Sequence, residues 1–85
     1  MPDRAAIVTG ASRGIGLAIA RLLAEQGHGL TITARKADRL EQTAQSLRDE
    51  GFEVEAVAAN MSDEAGIASV VAAHRDRFGR LDVLV

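Results

Sequence analysis

Thr9-Gly10-Ala11-Ser12-Arg13-Gly14-Ile15-Gly16 is the stretch that decides how this chain folds. It follows a short apolar run, Ala5–Thr9. It opens a segment whose apolar residues Ile15, Ala18, Ile19, Leu22 and Leu23 recur at helical spacing. Gly10 can adopt backbone angles that a Cβ forbids as the chain leaves the strand. A glycine at 14 lets the backbone approach a pyrophosphate closely, and Gly16 lets the helix pack tightly on the sheet. The first helical amides have no intrahelical partner and point at an anion, and Ser12 can donate its hydroxyl to a phosphate oxygen. A loop merely shaped by its glycines is the alternative. Placement between an apolar strand and an amphipathic helix argues against it. No Gly-Lys-Ser/Thr follows, which excludes a Walker-type loop in its standard form.

Strand and helix continue to alternate beyond this turn. Gly27 is predicted to end the first helix as its C′ residue. Leu30–Ala34, with Thr31, Ile32 and Thr33, predicts a second strand. A second helix is predicted from near Asp38, with Leu40, Ala44 and Leu47 on one face and Gly51 at its end. Glu53–Ala59 predicts a third strand. Ser62 or Asp63 can cap a third helix, with Ile67, Val70, Val71 and Phe78 facing inward and Gly79 ending it. Leu81–Val85 begins a fourth strand. The order β-α-β-α-β-α-β implies crossover connections and a parallel sheet covered on both faces. The predicted class is therefore α/β: a Rossmann-like, doubly wound sheet of strand order 3-2-1-4, with its ligand crevice between strands 1 and 4. The fourth strand stops without a turn or polar tail. The sheet is accordingly predicted to be incomplete at the C-terminus, with residues 1–85 forming the nucleotide-binding opening segment of a longer protein.

Composition bounds the function. The chain has 85 residues, 47% of them hydrophobic and 26% charged, with a formal net charge of −2. That suits one small globular domain, and it lacks the excess of Lys and Arg that nucleic acid or an anionic membrane demands. There is no cysteine, which removes disulfides and thiolate metal sites and gives no reason to place the chain outside the cytoplasm. No apolar run approaches a membrane span. His28 and His74 have no second ligand at metal spacing and are expected to be structural or exposed; no metal site is predicted. Asp63 and Glu64 are expected to favour a helix N-terminus. Glu41, Arg48, Asp49 and Glu50 are expected to form a solvated helix face.

The segment Thr9–Gly16 resembles the TGxxxGxG motif of the short-chain dehydrogenase/reductase family. The tail Gly79-Arg80-Leu81-Asp82-Val83-Leu84-Val85 resembles that family's stretch just before its Asn-Asn-Ala-Gly segment, so the likeness spans the chain. The nucleotide type can be read from strand 2. An NAD site usually ends that strand with an Asp or Glu on the ribose 2′-hydroxyl. Here the sequence is Thr33-Ala34-Arg35-Lys36. Arg35 presents a guanidinium where a 2′-phosphate would lie, and Arg13 can reach the same group. NADP(H) is the predicted cofactor, in line with what basic residues at these positions imply in the family; solvated surface charge is the alternative, above all for Lys36. At the end of strand 3 the family usually carries Asp followed by an apolar residue. By resemblance, Asn60 would accept from the adenine amine more weakly than Asp, with Met61 packing on the ring; alternatively Asn60 closes the strand-to-helix turn. The predicted cofactor-binding set is Gly10, Ser12, Arg13, Gly14, Ile15, Gly16, Arg35, Lys36, Asn60 and Met61.

The resemblance implies hydride transfer between nicotinamide and a small carbonyl or alcohol substrate, in an enzyme that is commonly a homo-oligomer. It also implies a catalytic Tyr with a Lys shortly after it, preceded by a Ser and an Asn. The chain has no tyrosine and no tryptophan, and Lys36 is its only lysine. No catalytic residue can therefore be assigned here, and these residues alone are expected to be inactive. Two readings compete. One is the cofactor-binding segment of an NADP(H)-dependent oxidoreductase. The other is a free-standing, non-catalytic nucleotide-binding or interaction module.

Overall fold

The computed structural model describes residues 4–11 and 14–85. The elements run β1 (Arg4–Thr9), α1 (Gly14–Glu25), β2 (His28–Ala34), α2 (Ala37–Asp49), β3 (Val54–Ala58), α3 (Glu64–Phe78) and β4 (Val83–Leu84). The four strands form one sheet in the order β3-β2-β1-β4, and every pair is parallel. This is the doubly wound arrangement the sequence predicts. β2 begins two residues earlier than expected because Arg4 and Ala5 pair with His28 and Gly29. β4 is shorter than expected, but its ladder extends beyond it. Asp82 N–H donates to the Ala5 carbonyl at 2.8 Å, and Thr9 N–H donates to the Val85 carbonyl at 2.9 Å.

Alternation along the strands sorts the core into two faces. Ala6 and Val8 of β1, Leu30 and Ile32 of β2, and Val54 of β3 pack with Ala20 and Ala24 of α1 and Leu40, Ala44 and Leu47 of α2. On the opposite face Thr31 of β2 meets His74 of α3, both buried. The α2 face is as the sequence predicts. The α3 face is so only in part, and α1, for which spacing gave no inner face, buries its small residues. On α1, Ile15 is 80% exposed and Leu22 53% exposed, while Ala20 and Ala24 are buried. That helix is apolar over most of its circumference, so spacing alone could not choose its inner side. On α3, Ile67 and Val71 are each 41% exposed, and the inward line runs through Val70 and His74.

Hydrogen bonding draws His74 inward. Its Nε2 lies 2.6 Å from the Arg80 carbonyl, which can only accept, so Nε2 carries a proton. In the neutral ring Nδ1 then accepts from the Thr31 hydroxyl at 2.7 Å. His28 is buried too, with Nδ1 donating to the Leu23 carbonyl at 3.0 Å. Both histidines are structural. The expected solvated face of α2 is exposed at Glu41, Asp49 and Glu50 and also carries pairs: Arg48 bonds Glu41 at 2.9 Å and the Val54 carbonyl at 3.0 Å, and Glu50 accepts from Arg21 of α1 at 2.6 Å. Asp63 is the α3 N-cap, accepting from Ala65 N–H at 3.2 Å, and Gly79 ends the helix in the left-handed conformation at φ +72°.

Asp82 ties β4 to the centre of the sheet. Its Oδ2 accepts from the Ala5 N–H at 2.8 Å and from Arg80 Nε at 2.9 Å, while Oδ1 accepts from Arg80 Nη2 at 2.8 Å. The Arg80 hydrogen bonds, and after them the Ala5 amide, lower the carboxyl pKa below its ordinary value of 3.8. A carboxylate stabilised in the folded state contributes fully above its unfolded pKa and loses that contribution as the pH falls through the lowered folded value. Asp82→Asn is therefore expected to lower the melting temperature at neutral pH, and its deficit should close as acidification proceeds below pH 3.8. Melting temperatures of both proteins across that window check this. A deficit that stays constant on acidification would contradict it.

Candidate functional site

The C-terminal ends of parallel strands are where a doubly wound sheet leaves room for a ligand. Here the ends of β1, β2 and β3 bound a cavity of about 620 Å³. Thr9 and Gly10 form its wall beneath β1, Thr33 to Lys36 its wall beyond β2, and Ala59 to Ser62 its wall beyond β3; Arg39 of α2 completes it.

The β1–α1 turn is built as the glycine pattern demands, with one difference. Gly10 and Gly14 both take positive φ, +63° and +65°. Gly16 is needed for another reason. A Cβ there would overlap the Gly10 carbonyl oxygen and stand 2.8 Å from the Gly10 carbonyl carbon and 3.2 Å from Ala11 Cα. The close approach that Gly16 permits is thus between the helix and its own turn, rather than the broader sheet surface the sequence suggested. A Cβ on Gly14 would meet nothing within 4 Å, which leaves open space on that side of the turn.

Of the predicted set, Gly10, Arg35, Lys36, Asn60 and Met61 line the cavity. Gly14, Ile15 and Gly16 sit in the adjoining turn and first helical residues, outside that lining. Ser12 and Arg13 lie outside the described residues. Six lining residues lie outside the predicted set: Thr9, Thr33, Ala34, Arg39, Ala59 and Ser62. Arg39 lies in the first turn of α2, four residues after Arg35, which precedes the helix.

Arg35, Lys36 and Arg39 are all exposed, and no ion pair among the described residues engages them. The α2 N-terminus adds to their field. Its N-cap, Lys36, makes no side-chain capping bond, so the first amides of α2 lack the partner that Asp63 gives α3. Among the described residues no carboxylate side chain lines the cavity. The wall beyond β2 is thus suited to an anion.

Two polar groups define the rest. The Thr33 side chain is buried, and its Oγ1 has no hydrogen-bond partner among the described residues. A buried hydroxyl without a partner costs about 1–3 kcal/mol, so Thr33 carries an unmet hydrogen bond at the end of β2. Asn60 is engaged within its own turn: Oδ1 accepts from the Ser62 N–H at 3.0 Å and from the Ser62 hydroxyl at 2.6 Å. Among the described residues no group of three metal-ligating side chains occurs, and no helix is long and apolar enough to cross a membrane.

Comparison with known proteins gives a consistent result. The family described as short chain dehydrogenase matches over residues 4–85. A protein assigned as the ketoacyl reductase of the monensin polyketide synthase in Streptomyces virginiae is 48% identical over 83 residues, which is 98% of this chain and 32% of that protein. Among solved structures, L-sorbose reductase from Gluconobacter frateurii, complexed with NADPH and L-sorbose, is 39% identical with a TM-score of 0.92, covering 99% of this chain and 32% of that one. A short chain dehydrogenase/reductase from Burkholderia phymatum in complex with NAD is 31% identical with a TM-score of 0.93, covering 95% of this chain and 29% of that one. The chain spans about a third of the length of the relatives it matches.

Proposed function

Because this chain belongs to the short chain dehydrogenase family, we propose that it is the cofactor-holding part of an oxidoreductase that uses NADP(H) and acts on a small carbonyl or alcohol. The observation that carries the NADP(H) reading is the wall of three cations, Arg35, Lys36 and Arg39, with no carboxylate among the described residues lining the cavity beside it. A 2′-phosphate placed there gains charge-assisted contacts of about 1.5–3 kcal/mol each, whereas a ribose 2′-hydroxyl finds no carboxylate to accept its proton. One solved relative carries NADPH and another NAD, so the family leaves the choice to such local residues.

The cavity fits the group on its own terms. Its volume of about 620 Å³ and its cationic wall of Arg35, Lys36 and Arg39 supply room and charge. Gly10, Gly14 and Gly16, with Ser12, would hold the pyrophosphate at the start of α1, and Arg13 would reach toward the 2′-phosphate. Arg35, Lys36 and Arg39 would hold the 2′-phosphate, and Asn60 and Met61 would border the base. When bound, the nicotinamide supplies or takes the hydride. The residues of this chain bind and orient; with no tyrosine and a single lysine at the phosphate wall, none of them is assigned the proton transfer.

Calorimetric titration of the protein with NADP⁺ and with NAD⁺ tests this reading. NADP⁺ should bind about tenfold tighter or more at low ionic strength. The advantage should shrink as salt screens the exposed cations. Equal affinities at low salt would remove the NADP(H) assignment, and absence of binding by either would remove the nucleotide reading.

A further inference from the structure

Asn60 stands on the cavity wall with its side chain already committed. Oδ1 takes two hydrogen bonds from Ser62, one from the backbone N–H at 3.0 Å and one from the hydroxyl at 2.6 Å. These two donors use both lone pairs of the amide oxygen. The backbone N–H can only donate, so turning the amide over would set donor against donor; the orientation is fixed by its neighbours. The backbone is fixed as well. The Asn60 carbonyl accepts from the Asp63 N–H at 3.1 Å, and Gly66 of α3 lies directly against it. A Cβ on Gly66 would overlap the Asn60 carbonyl oxygen and stand 3.0 Å from its carbon and 3.1 Å from its nitrogen. What remains for a ligand is the amide nitrogen, which carries two donors and no acceptor. No described residue takes a hydrogen bond from it.

We propose that Asn60 meets the base of a bound nucleotide as a hydrogen-bond donor, so that the site does not depend on the exocyclic amine of adenine and takes the corresponding 6-oxopurine (hypoxanthine) dinucleotide at least as well. The inference rests on the nucleotide reading given above. Adenine presents an amine, itself a donor, at position 6, beside acceptor nitrogens of the ring. An amide nitrogen opposite that amine is a donor–donor contact, and it can bond adenine only through a ring nitrogen. Opposite a 6-oxo group it gains an acceptor. A carboxylate at position 60 would behave differently. One of its oxygens would stay on Ser62 while the other turned an acceptor toward the base, rewarding the amine. The single atom exchanged between Asn and Asp therefore sets which base edge the wall matches.

The test is a calorimetric titration of the protein and of Asn60→Asp with NADP⁺ and with deamino-NADP⁺, its hypoxanthine counterpart. The wild type should bind the deamino form as tightly as NADP⁺ or more tightly. Asn60→Asp should move the ratio of the two affinities by about tenfold toward NADP⁺. Asp closes the same kind of turn as Asn, and its charge near α3 shifts both affinities together, so the ratio isolates the base edge. A wild-type preference for NADP⁺ of tenfold or more would overturn the proposal, as would a ratio that Asn60→Asp leaves unmoved. If the variant fails to fold, the wild-type ratio alone decides. If neither nucleotide binds, the nucleotide reading itself has failed and this proposal falls with it; binding with the opposite ratio removes only this proposal.

Discussion

Gly16→Ala is expected to destabilise the protein by about 3 kcal/mol and to abolish nucleotide binding. The sign alone is informative. Alanine in an ordinary helical position is favoured over glycine by about 1 kcal/mol, so a substitution that should help a helix is expected here to break one. The obstacle is the Gly10 carbonyl, which the new Cβ would overlap, with Ala11 Cα 3.2 Å away on the same side. Neither is the end of a flexible side chain, so relief requires α1 to retreat from its turn. Retreat would pull Ala20 and Ala24 off the sheet, where both are buried among Val8, Leu30 and Ile32. Gly14→Ala is the control. Gly14 has φ +65° but open space where a Cβ would go, so alanine there pays only the left-handed penalty of about 1–2 kcal/mol. Chemical denaturation of both variants measures the difference. If Gly16→Ala is no more damaging than Gly14→Ala, the close contact between helix and turn is not what holds α1 in place.

Arg35→Asp is expected to shift the ratio of NADP⁺ to NAD⁺ affinity by about a hundredfold toward NAD⁺. Three effects act in the same direction. A charge-assisted contact to the 2′-phosphate is lost. A carboxylate is placed against that phosphate and repels it. The same carboxylate can accept from the ribose 2′-hydroxyl, as acidic residues at the end of the second strand do in NAD sites. Folding should be little affected, because Arg35 is exposed and makes no ion pair among the described residues. Affinities for both dinucleotides, measured on wild type and variant at one salt concentration, check this. An unchanged ratio would return Arg35 to the class of solvated surface charges.

Much of this architecture could be read from the residues. The alternation of strands and helices gave the sheet order, because parallel strands joined by helices leave few topologies open. The turn was legible because Gly10 and Gly14 have φ values that other residues avoid and Gly16 stands where a Cβ would not fit. Helix faces were legible only where polar residues marked the outside. α2, with Leu40, Ala44 and Leu47 among charged neighbours, was read correctly. α1, apolar almost all round, gave no inner face. On α3 the partly misplaced face has a chemical cause. A histidine reads as polar, yet His74 is buried because the Thr31 hydroxyl and the Arg80 carbonyl satisfy both of its nitrogens, and such a pairing between distant residues leaves no trace in local spacing. The same limit applied to the site. Arg35 and Lys36 were found by their position after a strand. Thr33 and Arg39 were not, because lining a cavity is a property of the assembled ends of β1, β2 and β3. The dual use of Asn60 emerged only from its contacts with Ser62.

Gly66 has a counterpart in this molecule. It follows Asn60 by six residues, as Gly16 follows Gly10, and in both places a bare helical backbone is pressed against the carbonyl that ends a strand. Two of the three walls around the cavity are therefore clamped, and neither tolerates added bulk at its clamp. The wall between them, where β2 gives way to α2, has no such clamp and no side-chain cap. Its cations Arg35, Lys36 and Arg39 are exposed and make no ion pair among the described residues, so they do not hold the fold together. The parts that must stay fixed are thus separate from the part that can change sign: under the proposed function, preference for a nucleotide is expected to be rewritable along residues 35–39 while the two glycine closures keep the chamber standing.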